Sequence, residues 1–120
     1  MHLLAQLLIG FVALIHLYIL WLEMFAWTTR GPKVFRSLPA ELFVPTRVLA
    51  ANQGLYNGFL AAGLVWALLI SNPEWHRNVA SFFLACVLVA GLYGAATAGR
   101  RILLVQCLPA LLALTALWAA

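Results

Sequence analysis

Four long apolar stretches, parted by short charged or proline-rich breaks, constrain this chain more than anything else in it. Leu3–Trp27, Val48–Ile70, Val79–Ala98 and Ile102–Ala120 each reach about the 20 residues that a helix needs to cross a bilayer. At 1.5 Å per residue such helices cover about 30 Å. Hydrocarbon offers no partner to an unpaired backbone group, so segments of this kind enter it as helices. The pattern predicts an all-α, polytopic membrane protein, with four transmembrane helices in an antiparallel bundle. It forms one domain over residues 1–120, with spans at about 3–27, 48–70, 79–98 and 102–120 and a cytoplasmic loop at 28–47.

Composition agrees. Of 120 residues, 66% are hydrophobic and 8% charged, against about 45–50% and about 25% in ordinary soluble domains. The mean hydropathy is +1.02. A soluble fold of this size has too little interior to hide so much apolar surface. Leu3–Trp27 reads as a retained span rather than a signal peptide, because Met1-His2 supplies no basic leader and the run is too long.

The seven basic residues punctuate the apolar runs instead of forming a basic face, which excludes a nucleic-acid-binding module. Arg30, Lys33, Arg36, Arg47, Arg100 and Arg101 fall on one side of the predicted topology, and only Arg77 falls on the other. Basic residues are retained on the cytoplasmic side. Both termini are therefore expected outside the cytoplasm. Cys86 and Cys107 lie inside apolar runs, so no disulfide framework is expected.

The breaks differ in kind. Thr28–Arg47 carries Gly31-Pro32, Pro39 and Pro45, which forbid a continuous helix. One short helical turn is expected at Pro39–Val44, the segment lying on the membrane surface. Ser71–Asn78 reads as a polar loop with a helix stop at Asn72-Pro73. Gly99-Arg100-Arg101 is barely a turn, so the last two helices are antiparallel neighbours. Small residues recur every fourth position at Ala50, Gly54, Gly58 and Ala62, and again at Ala90, Gly94 and Ala98 and at Gly91, Ala95 and Gly99. Such rows allow close backbone approach, most simply between the second and third spans, with a dimer seam as the alternative.

Polar groups are costly in lipid and mark function there. Counting inward from the basic end, His16 and Glu23 enter from the first span, and Asn52, Gln53 and Asn57 from the second. Tyr93 enters from the third and Gln106 from the fourth. His16 and Glu23 are seven residues apart and share nearly one helical face. Their convergence predicts a polar, ligand-binding pocket in the cytoplasmic half, in which neutral His16 is placed to bond Asn57. The competing reading is ordinary interhelical hydrogen bonding, worth about 0.6 kcal/mol per pair. Glu23 is either a proton acceptor or ligand anchor within the pocket, or an interfacial acid paired with Arg47, Arg100 or Arg101. No ligand set at metal spacing emerges, and no cofactor is expected. Phosphate-cradling loops and nucleotide fingerprints are absent from the sequence.

The runs His16–Met24, Trp27-Thr-Thr29, Leu49–Gly63, Gly91–Thr97 and Val105–Ala110 together resemble the bacterial membrane family catalogued as domain of unknown function 1304. The likeness covers essentially the whole chain, and Ala51-Asn-Gln-Gly-Leu-Tyr-Asn-Gly58 is its most specific part. The resemblance implies a small four-span protein of the bacterial plasma membrane and supplies no catalytic residues. Three functions are compatible with the residues. The first is binding or transport of a small or amphipathic ligand, with membrane lipids and a second copy of the chain as candidate partners. The second is a membrane enzyme, an isomerase or oxidoreductase using Glu23 or His16 as acid or base. The third is a structural or assembly role.

Overall fold

The computed structural model describes residues 2–119. The helices are α1 (Leu3–Phe25), α2 (Gly31–Val34), α3 (Arg47–Leu69), α4 (Pro73–Thr97) and α5 (Leu108–Ala119). A 3₁₀ turn at Ala40–Leu42 lies between α2 and α3, and a π-turn at Leu103–Cys107 leads into α5. The described residues contain no strand. The fold is all-α.

Two helices are long and apolar enough to cross a membrane, α1 and α4. The other two long segments fall short for different reasons. α3 has 23 residues, but Asn52, Gln53 and Asn57 dilute its apolar run. The last apolar helix, Leu103–Ala119, is shorter than the roughly 20 residues of a usual span.

Helix starts follow local chemistry. Asn72 caps α4, its side chain accepting from the Trp75 backbone N–H at 3.0 Å. Pro73 fills the first helical position, where a missing N–H costs nothing. α4 thus begins at Pro73, ahead of the apolar run at Val79, and the expected Ser71–Asn78 loop shrinks to a three-residue link. Asn72-Pro73 both stops one helix and starts the next. At the other end of α4, Pro109 explains the π-turn. A proline inside a helix cannot donate, and its ring presses on the carbonyl four residues back. The turn widens instead, with the Leu108 N–H reaching the Leu103 carbonyl.

α1 lies antiparallel to α3 along most of its length. A Cβ on Gly54 would sit 2.6 Å from Met24 Cγ, and one on Gly58 2.6 Å from Leu20 Cδ1, while Gly10 faces Leu68. α4 packs antiparallel on α3 at Gly63–Phe83. The π-turn packs on α4 where Gly91 meets Cys107 and Gly94 meets Ile102. α5 closes back on α1. The rows of small residues therefore serve different neighbours from those expected. The α3 row receives α1 and the α4 row receives the start of α5, because Leu20, Met24, Ile102 and Cys107 are the side chains that fill them.

The core is a layer of Ile9, Val12, Leu64, Leu84, Val87 and small alanines, all nearly inaccessible. Toward the Ser71 end, His76 Nδ1 bonds the Ala67 carbonyl at 2.7 Å. The Arg77 guanidinium lies 4.5 Å over the Trp118 ring, and Trp118 Nε1 donates to Ser81 Oγ at 2.9 Å. These contacts pin α3, α4 and α5 together there. At the opposite end the connector folds back on itself. Phe43 is buried against Trp27, ring centroids 4.8 Å apart. Trp27 Nε1 donates to Thr46 Oγ1 at 3.0 Å, and Thr46 Oγ1 donates to the Leu42 carbonyl at 2.7 Å.

Candidate functional site

Two polar pairs bridge helices in the half of the molecule nearest the connector. The first joins α1 to α3. Asn57 Nδ2 donates to Glu23 Oε1 at 2.7 Å and to its own helix at the Gln53 carbonyl, 3.0 Å. Both amide hydrogens are thereby used. Gly54 brings the two backbones close enough for this bond, since any larger residue there would meet Glu23 Cβ and the Leu20 carbonyl.

The second pair joins α1 to the π-turn. His16 is fully buried, and its Nδ1 lies 2.8 Å from the Val12 carbonyl. A carbonyl only accepts, so Nδ1 carries the hydrogen and Nε2 presents a lone pair. Gln106 Nε2 donates to it at 3.1 Å. The network assigns His16 as the neutral Nδ1–H tautomer. The π-turn gives Gln106 this direction, and π-turns recur at functional positions in helices.

The seven side chains singled out in the sequence do not form one cluster. His16 bonds Gln106 and not Asn57, whose amide is taken by Glu23; counting depth fixed the level of these groups but not their direction around each helix. The two pairs stand seven residues apart on α1, about 10 Å along its axis. Asn52 is exposed and donates only to the Val48 carbonyl of its own helix. Gln53 is exposed. Tyr93 on α4 is 72% exposed. Among the described residues no group of His, Cys, Asp and Glu could hold a metal ion.

A second feature comes from comparing one helix face at two levels. Tyr56 precedes Gly63 by seven residues and shares nearly the same face of α3. Gly63 is buried against Phe83 of α4, whereas Tyr56 is 56% exposed. Gln53, Leu60 and Ala67 are likewise spaced by seven and pass from exposed through half-buried to buried. The facing side of α4 behaves in the same way: Phe83 is half-buried, while Ala90 and Thr97 are exposed. Cover between α3 and α4 is therefore lost toward the connector end. Gln53 and Tyr56 are left exposed on α3, and Ala90 and Thr97 on α4.

Sequence reading missed the Trp27–Thr46–Leu42 relay, the Arg77–Trp118 stack and the His76 bond to α3. It also missed the π-turn, although Pro109 inside the last apolar run was its signal.

These features define a class: an all-α chain with two helices able to cross a membrane, whose polar side chains pair between helices at one end. Within that class, the chain belongs to the family described as "Protein of unknown function (DUF1304)", whose model matches residues 10–118. It is similar to the "Uncharacterized protein YpaA" of Lactococcus lactis subsp. lactis (strain IL1403), with 34% identity over 105 residues, covering 86% of this chain and 87% of that one. No solved structure matches it.

Proposed function

We propose that the chain crosses the bacterial plasma membrane four times as a four-helix bundle, both ends outside the cytoplasm, and holds a small amphipathic molecule for binding or transport. The site is a lateral cleft between α3 and α4 at the cytoplasmic end. Gln53 and Tyr56 offer hydrogen bonds to its polar part, and the Glu23–Asn57 pair closes the cleft toward α1. The Leu- and Ala-rich wall suits its apolar part. Two helices of membrane-crossing length and six basic residues at the connector end support the topology. One observation carries the site: the α3 face that α4 buries at Gly63 is free at Tyr56.

The test is native mass spectrometry of the protein extracted with its own lipids, alongside Ala90→Trp. The indole fills the cleft from an exposed position. A small-molecule adduct present on the unaltered chain and lost from Ala90→Trp is expected. An adduct unaffected by Ala90→Trp, or none on either protein, removes the cleft as the site.

A further inference from the structure

We infer that the connector end of the molecule is a preformed docking surface for anionic phospholipid headgroups; this rests on the membrane-spanning reading above, and not on the cleft. Helix packing brings the C-termini of α1 and α4 to the same end as the N-termini of α3 and the π-turn. Arg30, Lys33, Arg36, Arg47, Arg100 and Arg101 are thereby gathered there, and all are exposed. The opposing charge is smaller: two carboxyl groups, Glu23 and exposed Glu41, stand at this end against six basic side chains.

The connector that carries three of these cations is folded. Gly31 and Phe43 are buried in it, Trp27 stacks against Phe35 and Phe43 at 5.3 and 4.8 Å, and Thr46 ties Trp27 to the Leu42 carbonyl. Arg36 Nε donates to the Lys33 carbonyl at 3.3 Å, which holds its guanidinium close to Lys33. A surface ordered in advance loses less entropy when a ligand binds. Beside these cations, Phe25, Val44, Val48 and Leu49 are each about two-thirds exposed or more. A phospholipid matches this arrangement, with a phosphate for the guanidinium forks and acyl chains for the apolar neighbours. A free phosphate would leave those apolar residues in water.

Each basic residue near an anionic membrane surface strengthens attachment about fivefold. The experiment uses the full chain in an uncharged detergent, titrated with short-chain phosphatidylglycerol, phosphatidylcholine or inorganic phosphate and followed by thermophoresis. Phosphatidylglycerol is expected to bind more tightly than phosphatidylcholine. Replacing Arg30, Lys33 and Arg36 together by Gln should weaken it on the order of 100-fold, while Arg77→Gln at the other end leaves it unchanged. If circular dichroism shows the triple variant misfolded, the pair Arg100→Gln and Arg101→Gln gives the same reading, with a loss of about 25-fold. Equal binding of the two lipids, equal loss in Arg77→Gln, or displacement by millimolar inorganic phosphate overturns the proposal. A chain that stays monodisperse without detergent overturns the spanning reading as well, whereas a detergent-dependent chain with no lipid preference overturns this inference alone.

Discussion

Replacing Gly54 by Ala should destabilise the protein, whereas the same change at Gly58 should not, although both glycines face α1 at the same closest distance. A Cβ on Gly54 would lie 2.6 Å from Met24 Cγ, 3.1 Å from Glu23 Cβ and 3.2 Å from the Leu20 carbonyl oxygen. Two of these atoms move only if the α1 backbone moves, and Met24 Cγ sits close to it. On Gly58 the near contact is Leu20 Cδ1 at 2.6 Å, with Leu20 Cγ already at 3.9 Å. Only a terminal methyl is in the way, and a rotamer change removes it. Overpacking that displaces backbone costs about 1–3 kcal/mol, and Ala gains about 0.8–1.0 kcal/mol over Gly as a helix former. The net loss for Gly54→Ala is up to about 2 kcal/mol, and Gly58→Ala stays within about 0.5 kcal/mol of neutral. Because α1 must back away, the Glu23–Asn57 bond weakens too. A double-mutant cycle with Glu23→Gln and Asn57→Leu should then find its coupling reduced in the Gly54→Ala background. Denaturant unfolding in detergent micelles, followed by far-ultraviolet circular dichroism, measures all of these. Equal stability of the two alanine variants would refute the assignment of the α3 row to α1.

Gln106→Leu leaves buried His16 Nε2 without its donor and should cost about 1–3 kcal/mol, most of it recovered in the double variant His16→Leu/Gln106→Leu; chemical denaturation of the three proteins decides this. Thr46→Val cuts the link between Trp27 and the Leu42 carbonyl. It should expose the connector to trypsin at Arg30, Lys33 and Arg36 several times faster, as followed by gel, with helix content unchanged.

The apolar runs were legible because hydrophobic composition acts locally. The start of α4 was not: Asn72-Pro73 reads as a stop alone, with the helix expected from Val79, whereas α4 begins at Pro73. The polar residues were legible as a level in the molecule, since depth along a helix is a count. Their pairing was not. Direction around a helix depends on the helix phase, and Pro109 resets the phase of the last segment through the π-turn that aims Gln106 at His16. The partners of the small-residue rows were illegible for a related reason: a glycine row records that something comes close, while the identity of that neighbour is written in Leu20, Met24, Ile102 and Cys107. The loss of cover between α3 and α4 has no local signal. It appears only when Tyr56 and Gly63, alike in helical angle, differ in what covers them.

The wide turn at Leu103–Cys107 also bears on how the last helix can be fitted at all. Its far end must present Trp118 to Ser81 and Arg77, and its near end must present Ile102 and Gln106 to Gly94 and His16. A single unbroken spiral has one rotational setting, which would have to satisfy both docking sites at once. The wider turn at its start offsets Ile102 and Gln106 from the rotation that α5 imposes on Trp118, so one helix meets both docking sites.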